Sequence, residues 1–357
     1  MIDDAVVLDA VIHAYNFSPE NQKNPELCSQ LGGMLYGLCS SYAPRTQPEY
    51  TLDVERFMAP PDPDLIAHAL FAESPTDIAI YHDVPQWGLL EDGGSPIWVG
   101  QELRERYPGR FAIYGAVAPW TPGALDRIDW LAEEVGVVGL KLYPLDVVDG
   151  TPMSYRMDDP EACFPLLERA QQRGIRSVAV HKALPLGPMP LDPFRVDDLE
   201  GALAAFPDLC IEIVHGGMAF LEETAMLIAR FPNAVVNLEG ASAFLPNMPM
   251  KFAEVLGTFL SFGAEDRVVW ATGCMAFHPR PLVEKFWNFE FPELLVEGYG
   301  VPPLTREIKK KILAENAARI LGLDLKQMQA DAGNDEFAGT TSYAPPWSGG
   351  RVATAVA

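Results

Sequence analysis

Ile211-Glu-Ile-Val-His-Gly-Gly217 is a short, mostly apolar run that ends in a histidine and two glycines, and a helical pattern follows at Leu221–Arg230. A strand buried on both faces reads this way, because a parallel sheet covered by helices leaves no polar side. The same unit recurs outward in both directions. Towards the N-terminus lie Ser177–Leu184 with His181, Val137–Pro144 with Lys141, Arg110–Pro119, Asp77–Val84 with His82 and Val6–Asn16 with His13. Towards the C-terminus lie Ala234–Gly240 with Glu239 and Arg267–Gly273, which runs on to His278. Helical patterns with apolar residues at three-to-four spacing fall between them, at Ala124–Val135, Pro160–Gln172, Val196–Ala205 and Met250–Leu260. Eight such runs predict an α/β fold, a (β/α)8 TIM barrel, with the polar strand-end residues gathered at one mouth.

Composition limits what such a barrel handles. The chain has 357 residues, 26 basic and 49 acidic, for a net charge of −23. A surface of that sign repels phosphate backbones and anionic lipid, so neither nucleic acid nor a membrane surface is an expected partner. The N-terminus lacks the basic segment of a secretory signal, and no apolar stretch is long enough to span a bilayer. Five scattered cysteines without a CxxC suit a reducing cytoplasm better than a disulfide framework. The expected location is therefore cytoplasmic.

The barrel is expected within residues 1–325. Residues 17–64 form a long insertion after the first strand, and Leu31-Gly-Gly-Met-Leu-Tyr-Gly-Leu38 is too apolar to sit comfortably in water. A loop leaving a strand at the mouth folds over it, so this insertion reads as a lid or an interface element. Residues 326–357 read as an extended tail. Tyr343 and Trp347, in a Pro-rich stretch, give it two anchors for strapping onto a neighbouring subunit; without a partner it would be disordered.

Four segments resemble the amidohydrolase superfamily, in the branch of aromatic-acid decarboxylases and related lactone hydrolases. They are Leu8-Asp-Ala-Val-Ile-His13, Gly139-Leu-Lys-Leu-Tyr-Pro144, Val214-His-Gly-Gly217 and Lys311-Ile-Leu-Ala-Glu-Asn-Ala-Ala-Arg-Ile-Leu-Gly-Leu323. Two departures stand out. Val11 occupies the place of the first histidine of the family's His-x-His pair, and Gly273, beside Cys274, occupies the place of its strand-eight aspartate. In the family that aspartate binds metal and moves the proton of the attacking water. A glycine does neither.

The resemblance and the strand ends together nominate a site. His13, His181 and His215 are the expected ligands of one divalent ion, since converging neutral imidazoles suit iron, manganese and zinc. Glu239 and His278 are alternative replacements for the lost carboxylate. Lys141 is a catalytic candidate: a carboxylated bridge between two ions, a substrate contact, or simply an ion-pair partner of Glu239. His82 could position substrate, bind a second ion or serve structure. Asp9 shares a strand face with His13 but is undecided in role, and His68 reads as structural. No Walker loop, dinucleotide fingerprint or nucleophile elbow is present.

A histidine set without the water-activating aspartate resembles non-haem oxygenase sites. It is similar to a small group of amidohydrolase-fold oxygenases, including the 2-aminoisobutyric acid hydroxylases, which are built of two homologous subunits. That resemblance implies an iron- or manganese-dependent monooxygenase subunit, an oxidoreductase that hydroxylates a small amino or organic acid with O2, partnered by a homologous chain or by copies of itself. The alternatives are a metal-dependent decarboxylase or hydrolase of the ordinary branch, with zinc among its possible ions, and a non-catalytic subunit of a hetero-oligomer.

Overall fold

The computed structural model describes residues 1–148, 150–185, 189–340 and 342–349. Its centre is an eight-stranded parallel sheet of β1 (Leu8–Ile12), β2 (Ile78–His82), β3 (Phe111–Ala116), β4 (Gly139–Leu142), β5 (Ser177–His181), β6 (Cys210–Val214), β7 (Ala234–Asn237) and β8 (Val268–Val269), in that spatial order. The ends of the sheet meet. Ala10 N donates to Trp270 O at 2.9 Å and Gly273 N to Val11 O at 3.0 Å, which closes a barrel. This is the TIM barrel of the amidohydrolase type expected from the strand pattern.

Alternation along each strand sorts side chains into two layers. Ala79 and Tyr81 belong to the large apolar cluster beneath the helices. Ile78 and Ile80 join Leu8, Ala112, Tyr114 and Val235 in a second cluster. That second layer is the barrel interior, because Tyr114 on β3 reaches Glu212 on β6 with a 3.1 Å hydrogen bond, and those strands are not neighbours.

The insertion after β1 carries α1 (Pro25–Tyr42) and α2 (Val54–Met58). Asn24 caps α1 by accepting from Leu27 N at 3.1 Å, and Pro25 sits at its first position, where a missing N–H is harmless. Two elements depart from the sequence reading. An antiparallel hairpin, Leu145–Val148 with Thr151–Ser154, follows β4. A helix at Leu325–Ala332, capped by Asp324, opens the segment read as an extended tail.

The described end of the tail docks on its own barrel. The buried carboxylate of Glu73 accepts from Trp347 N at 2.7 Å, Ser348 N at 2.8 Å, Ser348 Oγ at 2.9 Å and Gly349 N at 3.2 Å. Arg56 of α2 donates to Trp347 O at 2.8 Å and Gly349 O at 2.7 Å. Among the described residues, no helix is long and apolar enough to cross a membrane.

Candidate active site

A cavity of about 770 Å³, counting its open mouth, sits over the C-terminal ends of the strands. His13, Lys141, His181, His215 and Glu239 line its floor, supplied by β1, β4, β5, β6 and β7. Leu31, Leu35, Leu38, Cys39 and Tyr42 of α1 roof it, so the insertion covers the mouth as a lid.

The floor is a connected chain. His181 Nε2 lies 3.0 Å from Leu184 O, a pure acceptor, so Nε2 carries the proton and Nδ1 accepts. His215 Nε2 lies 2.9 Å from that Nδ1 and must donate to it. His215 Nδ1 is then left against Glu239 Oε2, which it touches without a hydrogen-bonding direction between them. Burial opposes ionisation of Glu239, but His215, His13 and Lys141 outweigh it and hold the carboxyl at about 2. A lone pair thus faces a carboxylate unless positive charge comes between them, as a second proton on His215 or as a metal ion.

Backbone geometry at the strand ends builds this contact. His215 stands at φ +76°, followed by Gly216 at +56° and Gly217 at +67°. Only glycine enters that region freely, so the histidine is held there by its surroundings. The turn sets its ring between β5 and β7.

His13 Nδ1 lies 3.3 Å from His82 O, which leaves Nε2 free of that bond. Burial depresses its pKa to about 4, Lys141 adding to the effect and Glu239 opposing it. Burial, with His215 and Lys141, pushes His181 well below the usual imidazole value. Both rings are therefore neutral at pH 7 and chemically fit to bind a divalent ion. The carboxylate is in a fitting place too. A Cβ added to Gly273 would stand 2.5 Å from Glu239 Oε1, so Glu239 fills the space a strand-eight aspartate side chain would take. The donor set suits an ion in kind and location. As placed, its members bond to one another, and among the described residues no three His, Cys, Asp or Glu side chains converge on one point.

Other candidates are deployed differently. His278 is removed from the cluster: its Nε2 lies 3.0 Å from Glu73 Oε2, and its Nδ1 accepts from Arg280 N at 3.2 Å, capping the helix Pro279–Asn288. His82 does not line the cavity; its Nε2 lies 2.9 Å from Ala10 O and its ring stacks on Tyr114 at 4.4 Å. Asp9 is a tie between β1 and β8, accepting from Thr272 N at 2.9 Å and from the Thr272 hydroxyl. Cys274 is buried, with Sγ 3.8 Å from Met275 Sδ. Lys141 is not the ion-pair partner of Glu239, since its buried ammonium has no hydrogen-bond partner and no described carboxylate within pairing distance.

The sequence reading passed over Tyr15 and Tyr143, which both line the cavity. Tyr15 packs at 5.2 Å from the His13 ring, and Tyr143 stacks at 4.4 Å on His181. Each stands two positions beyond a chosen residue, His13 or Lys141, and that spacing was the available signal.

A family model described as amidohydrolase matches residues 70–323. The chain belongs to the amidohydrolase family. No curated protein matches it in sequence. Among solved structures, an uncharacterised TIM-barrel protein from Bordetella bronchiseptica is 18% identical, covers 92% of this chain and 99% of its own, and superposes with a TM-score of 0.58. The 2,6-dihydroxybenzoate decarboxylase from Rhizobium is 14% identical over 90% of this chain and 99% of its own, with a TM-score of 0.56. A 5-carboxyvanillate decarboxylase from Novosphingobium aromaticivorans, solved with manganese and 4-hydroxy-3-methoxy-5-nitrobenzoic acid, is 15% identical over 90% and 97%, with a TM-score of 0.55.

These findings correct the expected oxygenase. Monooxygenase, hydroxylase and oxidoreductase chemistry, with O2 as a partner, was inferred from the missing carboxylate at Gly273. The match is to an amidohydrolase family, and the similar barrels from Rhizobium and Novosphingobium are decarboxylases.

Proposed function

We propose that this amidohydrolase is a non-oxidative decarboxylase of a small carboxylic acid. The observation that carries the reading is the anionic Glu239 carboxylate against His215, in the vacated space beside Gly273, on the floor of a pocket with an apolar roof. Glu239, His13, His181 and His215 are the residues that would hold a divalent ion, manganese first by analogy with the vanillate enzyme, with iron and zinc as alternatives. Such an ion would polarise an oxygen of the bound substrate. In the reaction the bond to the carboxyl carbon breaks, its electron pair stays on the substrate carbon, and CO2 leaves. The substrate carbon then takes up a proton that comes from water. The roof of α1 excludes bulk water while the carbanionic centre exists.

The same carboxylate supports a second reading, hydrolysis of a lactone, in which Glu239 receives the proton of an attacking water. Anaerobic incubation of the manganese-loaded protein with a panel of carboxyl-labelled hydroxybenzoates and benzoates separates the two. Labelled CO2 is the expected product. Ring opening of lactones with no CO2 from any acid would overturn the decarboxylase reading.

A further inference from the structure

We infer that Lys141 is the anchor for the carboxylate of a substrate that carries one negative charge on an otherwise apolar body. This assignment rests on the decarboxylase reading and deepens it by naming how the acid is held and what else it is made of.

Lys141 sits on β4 with no exposed surface, yet it lines the cavity. Its ammonium has no hydrogen-bond partner, although nearly all buried charged groups have one. The carboxylates that influence it, Glu239 and Glu212, do not pair with it: Glu239 lies against His215, and Glu212 accepts from Tyr114 at 3.1 Å and from Asn237 at 2.5 Å. Burial lowers its pKa to about 8 against the pull of those two acids, so it remains mostly cationic at pH 7. Three unused donors facing the cavity are a site for an anion, and a carboxylate is the anion that the proposed reaction consumes.

The rest of the lining sets the remainder of the ligand. Among the described residues, no other lysine and no arginine lines the cavity, and Gln86 is its one amide side chain. Away from the floor and the ion proposed for it, a second carboxylate or a phosphate would meet no counter-charge among the described lining residues, which burial penalises heavily. Apolar contacts are plentiful instead, from Phe17, Leu35, Leu38, Met218 and Phe277.

Calorimetric titration of the full chain at pH 7, as purified and again after dialysis against a chelator, tests the anchor without turnover. The probes are benzoate, phenylacetate and hexanoate, each against its carboxamide, together with phthalate as a dianion. At least one monoacid is expected to bind tenfold or more tightly than its amide, and phthalate weakly. Lys141→Met is expected to remove the acid preference and Lys141→Arg to keep part of it. Should Lys141→Met fail to fold, Lys141→Gln replaces it, and the wild-type comparison stands in either case. Equal binding of acids and amides, no measurable binding of any acid, or an acid preference that survives Lys141→Met would overturn the anchor. A Lys141-dependent preference without CO2 release would count against decarboxylation alone, and CO2 release without that preference against the anchor alone.

Discussion

Gly273 and Glu239 exchange a role that a linear reading assigns to one position. Gly273 has φ +74°, a conformation L side chains rarely adopt, and any Cβ there meets the Glu239 carboxylate. The two residues are therefore alternatives for one volume. Gly273→Asp alone is expected to destabilise the protein by about 2–4 kcal/mol, from left-handed strain together with two carboxylates in one buried space. Glu239→Gly made alongside it removes the collision and half of the charge, so the double variant is expected to recover most of that loss. Urea unfolding of the two single variants and the double variant reads the coupling. Additive losses would mean that the two positions do not share one volume. His13, His181 and His215 were legible in the sequence because each ends an apolar run. The choice between Glu239 and His278 as the replacement carboxylate or ligand was not, because nothing in the order of residues says that a side chain on β7 leans into the gap left on β8 while His278 turns to Glu73.

Among the elements, strands read most clearly and connections least. Doubly buried strands must be nearly continuous apolar runs, so all eight could be found, though each observed strand is shorter than its run because the ends turn to build the mouth. The helix Leu325–Ala332 went unread because half of its residues are polar and only Ala332 is buried. His278 was misassigned for a similar reason. Its partner Glu73 lies 205 positions away, and only the docked tail explains why a carboxylate is buried there. That carboxylate joins three segments: the tail at 347–349, the helix begun by His278, and, through Arg56, the lid helix α2. Removing it strands several buried N–H groups at once, so Glu73→Ala is expected to lower stability by about 3–5 kcal/mol. It is also expected to speed hydrogen exchange in residues 343–349 and 54–58 more than in β2 or β3. Uniform acceleration through the barrel would contradict a local staple, and unchanged exchange in the tail would mean that its hold lies elsewhere.

For the molecule as a whole, two opposed fields meet at the mouth. The chain carries −23 overall, while the cavity lining includes the unpaired Lys141 ammonium along with the Glu239 carboxylate. The long-range field repels an approaching acid, and the short-range field holds it once it is inside. Salt screens these unequally, because the Debye length falls from about 30 Å at 0.01 M to about 8 Å at 0.15 M while a buried contact is little affected. Added salt should therefore speed arrival of an anionic ligand and leave its dissociation nearly unchanged, the reverse of the usual steered encounter. Stopped-flow measurement of benzoate binding across that range is expected to give a rate of association that rises a few-fold, with a dissociation rate constant within a factor of two. A falling association rate would mean that a local positive potential at the mouth outweighs the acidic surface, and the pocket would then have to be treated as an electrostatic funnel in its own right.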